Sequence, residues 1–149
     1  MLSLQVLRIT TITPFWIPHF VKEDFYIDDH LLTRGTTLLP NSWHSHHRDD
    51  HWPDPWTFQP HRFLDSDGQL LDSGHPVRQK LLVFGTGVRI CPAENFSRSR
   101  VFLLVVSLIQ RFRFKPPSGT DLPSELSRDW KPGMVFWPDE FKCQLELRK

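Results

Sequence analysis

The residues best placed to do chemistry lie in one run, Phe84-Gly85-Thr86-Gly87-Val88-Arg89-Ile90-Cys91-Pro92-Ala93-Glu94. Cys91 directly precedes Pro92, and proline is pre-organised for the first position of a helix. A helix N-terminus offers a positive dipole end and free N–H groups, which stabilise a thiolate. A thiolate so placed can hold a metal ion carried in a flat macrocycle, and such a site makes further demands. The backbone before the sulfur must pass close beneath the ring, which favours glycine at Gly85 and Gly87. A cation must meet the ring's acidic substituents, and Arg89 stands two residues from the sulfur. An apolar group must keep water away, a role open to Phe84. N–H groups aimed at the sulfur would tune the metal's potential. The plainer alternative is an inert buried cysteine ahead of a core helix.

The elements that must position this loop are legible around it. Residues 92–112 read as the clearest helix, with Glu94 favourably placed in its first turn. Its run Val101-Phe102-Leu103-Leu104-Val105-Val106 is apolar on every side, which predicts a buried helix. Pro116-Pro117 stops it. At the other end of the chain, Met1 to Arg8 reads as the last turns of a helix, and Pro14 and Pro18 keep residues 10–20 extended. Phe25-Tyr26-Ile27 and Thr36-Thr37-Leu38-Leu39 read as the two arms of a hairpin turning at Thr33-Arg34-Gly35. Residues 41–50 are polar and histidine-rich and suit a short helix. Residues 51–76, with Pro53, Pro55, Pro60 and Pro76, read as a long irregular stretch. Val135 to Leu147 reads as a final hairpin turning near Pro138-Asp139-Glu140. The fold class is therefore mixed α and β.

Composition sets the bounds. The chain has 149 residues, 39% of them hydrophobic, enough for one domain with a core. It has 13 Pro, 12 Phe and 6 Trp, which favours ordered loops pinned by aromatics over disorder. A net charge of +1 gives no sign of a nucleic-acid partner. The two cysteines, Cys91 and Cys143, are too few for a disulfide framework and fit a reducing compartment, although a single bridge between them stays open. The sequence carries no visible signal peptide or membrane anchor.

The cysteine run resembles the cytochrome P450 signature Phe-x-x-Gly-x-Arg-x-Cys-x-Gly. Phe84, Gly87, Arg89 and Cys91 match it, and Ala93 replaces the final glycine. The resemblance covers essentially the whole chain as one C-terminal part of a P450 domain, residues 1–149. It implies haem b as cofactor, with Cys91 as the axial thiolate on iron and Arg89 and His19 meeting the propionates. Pro60-His61-Arg62-Phe63 is similar to the family's Pro-x-Arg-Phe motif, and Gln5-Val6-Leu7-Arg8 to its Glu-x-x-Arg helix. The resemblance places Gln5, Arg8 and Arg62 in one buried network, with Gln5 where the family has glutamate. A buried cation without its partner is costly; alternatively, Gln5 lies in a solvated, altered N-terminus. Ile12, Thr13 and Trp16, with Met134, Val135 and Phe136, correspond to segments bordering the substrate pocket. Val6 to Ile9, Ile17 to His19, Asn41 to His47 and Phe58 to Phe63 look most like animal microsomal members of the steroid 17-alpha-hydroxylase branch.

By that resemblance the function is a monooxygenase acting on a hydrophobic, steroid-like substrate. Its partners would be molecular oxygen and an NADPH-dependent reductase, at the endoplasmic reticulum membrane. The family's oxygen-activating central helix would lie upstream of residue 1. Two rivals stand beside this reading. One is an inactive, truncated relic. The other is a small metal-binding or interaction protein built on His44, His46, His47 and His51. A zinc site needs about four converging ligands, so a solvated polar segment is the better account of that cluster. Arg78, Lys80, Arg98 and Arg100 flank the cysteine and form either a solvated charge set or a docking face for an acidic electron donor.

Overall fold

A computed structural model describes residues 1–120 and 126–148. Helix α1 (Leu2–Thr10) opens the chain and ends where Thr11 turns into a left-handed conformation at φ 34°. The following segment is extended, as its prolines require, and enters strand β1 (His19–Phe20). Then come β2 (Phe25–Ile27), β3 (His30–Leu32) and β4 (Thr37–Leu38).

The pairing differs from the sequence expectation. β2 pairs antiparallel with β3, and β4 returns to pair with β1. The tight turn is Asp28-Asp29, where Asp28 takes φ 50°, a left-handed conformation that aspartate tolerates. Gly35 instead shapes the return from β3 to β4, donating its N–H to Val21 O at 2.9 Å.

Helix α2 (Ser42–His47) is capped by the side chain of Asn41, which accepts the N–H of His44 at 2.9 Å. The long irregular stretch follows as expected, broken by a short 3-10 turn at Pro60–Phe63. Phe63 is fully buried there and packs with Leu4 and Trp52, with Val77 and Leu81 against the cluster. This small apolar core joins α1 to the irregular stretch. Beside it lies a polar centre in which Gln5, Arg8, Thr11, Ser42, His46 and His47 are all buried. One turn of helix α3 (Pro76–Gln79) leads to the cysteine loop and then to α4 (Glu94–Arg111).

Two further expectations fail. The final residues do not fold back on themselves; β6 (Gln144–Leu147) pairs antiparallel with β5 (Phe112–Lys115), which continues directly from α4. Near Pro138, the backbone makes the isolated bridge Lys131–Trp137 in place of a hairpin. Nor is α4 buried: Phe102, Leu103 and Leu104 are 58%, 63% and 62% exposed. Its apolar surface has little to pack against among the described residues. No helix among them is long and apolar enough to cross a membrane.

Candidate functional site

The cysteine loop is closed by its own backbone. Leu82 O accepts the N–H of Gly85 at 3.0 Å, Gly87 O accepts that of Ile90 at 3.1 Å, and Phe84 O accepts that of Cys91 at 2.8 Å. Gly85 and Gly87 take φ of +80° and +66°, the left-handed region where a side chain would be strained. A Cβ added at Gly87 would meet nothing within 4 Å, so the space beside it is open. Val88 and Ile90 are exposed there. Arg89 is also exposed and makes no ion pair among the described residues.

Cys91 is a half-buried free thiol, and Cys143 is an exposed one, so the bridge left open by the sequence is not formed. Cys91 lies two residues before Ala93, the N-cap of α4. Glu94 does not cap the helix; it pairs with Arg98 one turn on at 2.8 Å. Arg98 also lies over the Phe84 ring, 5.0 Å from its centroid, and so fixes the aromatic ring at the base of the loop. A free thiol, an unpaired cation, two exposed apolar side chains and open space beside a left-handed glycine fit a flat, apolar, acid-bearing macrocycle.

The polar centre is built around Arg8, which is fully buried. Its Nε donates to Gln5 Oε1 at 3.2 Å, one Nη to His46 O at 2.7 Å and the other to Pro55 O at 2.6 Å. Gln5 is buried too and donates to Thr57 O at 3.2 Å, so it is no part of a solvated terminus. Arg62 stays apart: it donates to Asp54 O at 2.8 Å, its Nε is buried without a partner, and no hydrogen bond joins it to Gln5 or Arg8. Its charge is nevertheless felt. Burial, with the like charge of Arg62 adding, pulls the Arg8 pKa down to about 10. Burial also lowers that of Arg62, opposed by Asp54.

The histidine cluster departs most from expectation. His46 and His47 are buried, because their ring nitrogens find partners inside the protein. His47 Nδ1 lies 2.7 Å from Trp43 O and Nε2 3.2 Å from Ile9 O, with the ring stacked on Trp56 at 4.2 Å. Burial outweighs these two carbonyls and lowers its pKa. Among the described residues, no group of three or more His, Cys, Asp or Glu side chains is placed to hold a metal ion.

Of the two segments expected to border a substrate pocket, one reaches the other: Phe136 donates its N–H to Ile12 O at 2.8 Å. Thr13 O accepts the hydroxyl of Ser42 at 3.0 Å, and Trp16 donates its N–H to Pro40 O at 3.1 Å. Val135 is half-buried and Met134 fully open. His19 sits half-buried in β1 opposite Leu38, with no hydrogen bond to the cysteine loop.

A family model described as cytochrome P450 matches residues 6–145. The chain belongs to the cytochrome P450 family. Among curated P450 relatives it is 37% identical to a steroid 17-alpha-hydroxylase/17,20 lyase of Squalus acanthias, covering 97% of this chain and 27% of that protein. It is 34% identical to cytochrome P450 2U1 of Rattus norvegicus (97% and 26%). It is 33% identical to a farnesoate epoxidase of Bombyx mori (98% and 28%). The structure superposes on a zebra fish cytochrome P450 solved with abiraterone at TM-score 0.81 and 32% identity, covering 97% of this chain and 32% of that one. It also superposes on one solved with progesterone at 0.78 and 33%, covering 97% and 30%. The chain thus spans about a quarter of the length of the curated P450 relatives it matches. The P450 fold and the steroid-hydroxylase resemblance read from the sequence both hold.

Gln5 offers a direct test of the polar centre. Gln5→Glu gives Arg8 a charged acceptor, which is worth about 1 kcal/mol more than a neutral one. It loses the bond to Thr57 O, but the charges of Arg8 and Arg62 both favour the carboxylate. The expected result is a stabilisation of about 1 kcal/mol by urea denaturation at neutral pH. A destabilised variant would show that the second carboxylate oxygen, facing Thr57 O, dominates.

Proposed function

We propose that the chain is the haem-binding, thiolate-bearing part of a cytochrome P450 monooxygenase, with Cys91 as the residue that would hold the iron. The observation carrying this reading is the cysteine loop: a free thiol ahead of α4, reached through two left-handed glycines with Arg89 unpaired beside it. The bound group would be haem b, and it would supply oxygen activation and insertion of one atom into an apolar C–H bond.

The chain's own residues do the rest. Cys91 would hold the metal, and its place ahead of α4 lets the helix dipole favour the charged sulfur. Arg89, with His19 as the second donor, would neutralise the propionates. Phe84 and Ala93 would lie beside the bound group, with Phe84 limiting water at the sulfur. Ile12, Thr13, Trp16, Met134 and Val135 border the substrate, which is hydrophobic and of the steroid class. Support for that class comes from the steroid-hydroxylase relatives and from the progesterone and abiraterone named with the superposed structures. An NADPH-dependent reductase would supply electrons at the endoplasmic reticulum membrane. The basic residues Arg78, Lys80 and Arg100 would steer it.

By that reading the described residues would supply one face of the haem and no counterpart of the family's proton-delivering helix. Haemin titration of the purified chain is expected to give weak binding, with the red-shifted Soret band of a thiolate in the reduced carbon monoxide complex. With reductase present, no oxidised product is expected. Haem uptake without that band would refute the ligand assignment. Product formation that depends on Cys91 would refute the claim that these residues alone are insufficient.

A further inference from the structure

His46 is fully buried, and its ring spans two distant parts of the chain. Nδ1 lies 2.9 Å from Thr11 Oγ1, whose own hydroxyl donates to Arg8 O, so Nδ1 carries the proton. Nε2 accepts the N–H of Leu82 at 2.8 Å. Leu82 O in turn accepts the N–H of Gly85, the first glycine of the cysteine loop. The main-chain carbonyl of His46 meanwhile accepts from Arg8. One residue thus connects the buried arginine to the backbone that feeds the loop.

We propose that His46 is a positioning residue for the cysteine loop: its neutral ring ties Leu82, and with it the turn leading to Cys91, to the end of α1, and releases them on taking up a second proton. The positioning role rests on the reading of Cys91 as the thiolate ligand; the tether itself does not. An imidazolium has two donors and no acceptor, so a charged His46 would turn an N–H against the N–H of Leu82. Every charge acting on the ring opposes that proton: Arg8 from α1 and His47 beside it on α2. The Leu82 segment brings Lys80, whose ammonium reaches His51 O at 3.4 Å. Burial, and after it the neighbouring His47 and Arg8, depress the ring's pKa from the ordinary 6.5 to about 3.

The direction of the pH effect follows. Above pH 6.5 the ring is neutral whether the tether is closed or open, and the tether is intact. As pH falls from 6.5 towards 3, only the opened form takes the proton, so the tether is lost progressively. One proton changes the open-to-closed ratio by up to about tenfold per pH unit.

The test reads amide hydrogen exchange at Leu82 and Gly85 in the purified 149-residue chain, corrected for intrinsic exchange, alongside the thiolate band after haemin addition. In the unsubstituted chain, protection of Leu82 should fall by up to about tenfold per pH unit below 6.5, and the band should weaken with it. His46→Gln places a non-titrating carbonyl oxygen near Nε2 and should keep both signals to lower pH. His46→Leu should lower Leu82 protection already at neutral pH. Leu82 protection independent of pH in the unsubstituted chain overturns the tether, even if both variants fail to fold. So does His46→Gln losing protection along the same pH curve. A band that persists while Leu82 opens overturns the positioning role alone. A band absent at every pH refutes the ligand reading, and the exchange data still decide the tether.

Discussion

Replacing Cys91 by serine is expected to abolish the thiolate Soret band of the haem-loaded chain, and replacing Cys143 by serine to leave it intact. The two thiols are both free, so each is chemically available. Their surroundings separate them. Cys91 is held by its N–H to Phe84 O and stands just before α4, where the unsatisfied N–H groups of the first turn lower the cost of a sulfur anion. Cys143 is exposed just ahead of β6, with no helix terminus beside it. A serine hydroxyl stays protonated at neutral pH and is a poor match for a thiolate's soft, charged sulfur. The Cys91→Ser effect should therefore be complete loss of the band. Retention of the band in Cys91→Ser, or its loss in Cys143→Ser, would reverse the assignment.

Arg8→Met is expected to be the most destabilising single change in the polar centre. Methionine keeps an apolar stem of similar length and removes the donors. Gln5 Oε1, His46 O and Pro55 O then lose the partner that the guanidinium supplies. A buried polar group left unpaired costs about 1–3 kcal/mol. Relief of the repulsion from Arg62 returns part of that. The net loss should be roughly 4 kcal/mol, a large share of a typical domain's stability. Arg8→Lys should fall between, because an ammonium lacks the planar fork that reaches three acceptors at once. Urea denaturation with an unchanged slope would measure this. A midpoint for Arg8→Met within about 1 kcal/mol of the unsubstituted chain would show that the three carbonyl groups find other partners.

The cysteine loop was readable because its chemistry is local: glycine, arginine and cysteine spacing within eleven residues determines what the backbone can do. α4 was readable from the proline at its start and the long apolar run behind it, α1 as the last turns of a helix, and the family resemblance supplied the rest. The misreadings share a physical cause. β2 looked like a partner for residues 36–39 because both are rich in strand formers. The pairing was decided instead by Asp28 adopting a left-handed turn. β6 pairs with β5 across about thirty residues of chain, and no local pattern encodes that. The apolar face of α4 says that it needs a cover but not whether these residues provide one. His46 and His47 read as solvated because histidine-rich runs usually are. The available signal was helical spacing, which sets His46 above Ser42 and His47 above Trp43, both buried or half-buried. What buries the rings is the Thr11 hydroxyl together with two main-chain carbonyls and one amide, and the main-chain groups have no sequence signature.

That last property bears on how the molecule tolerates mutation. Around Arg8 the acceptors are largely carbonyl oxygens of the backbone, those of His46 and Pro55, and the His47 ring lies against two more, those of Trp43 and Ile9. Every residue type has such an oxygen. The identity of the supplying residue is therefore free to drift wherever its side chain has no second task, provided the chain's path is kept. The donors have less freedom, since each must be a side chain of the right length and donor geometry. Variation in this region should accordingly be asymmetric, with side-chain donors fixed and their main-chain acceptors interchangeable. An insertion or deletion that shifts the backbone by one residue between Trp52 and Phe58 should do more harm than most substitutions there.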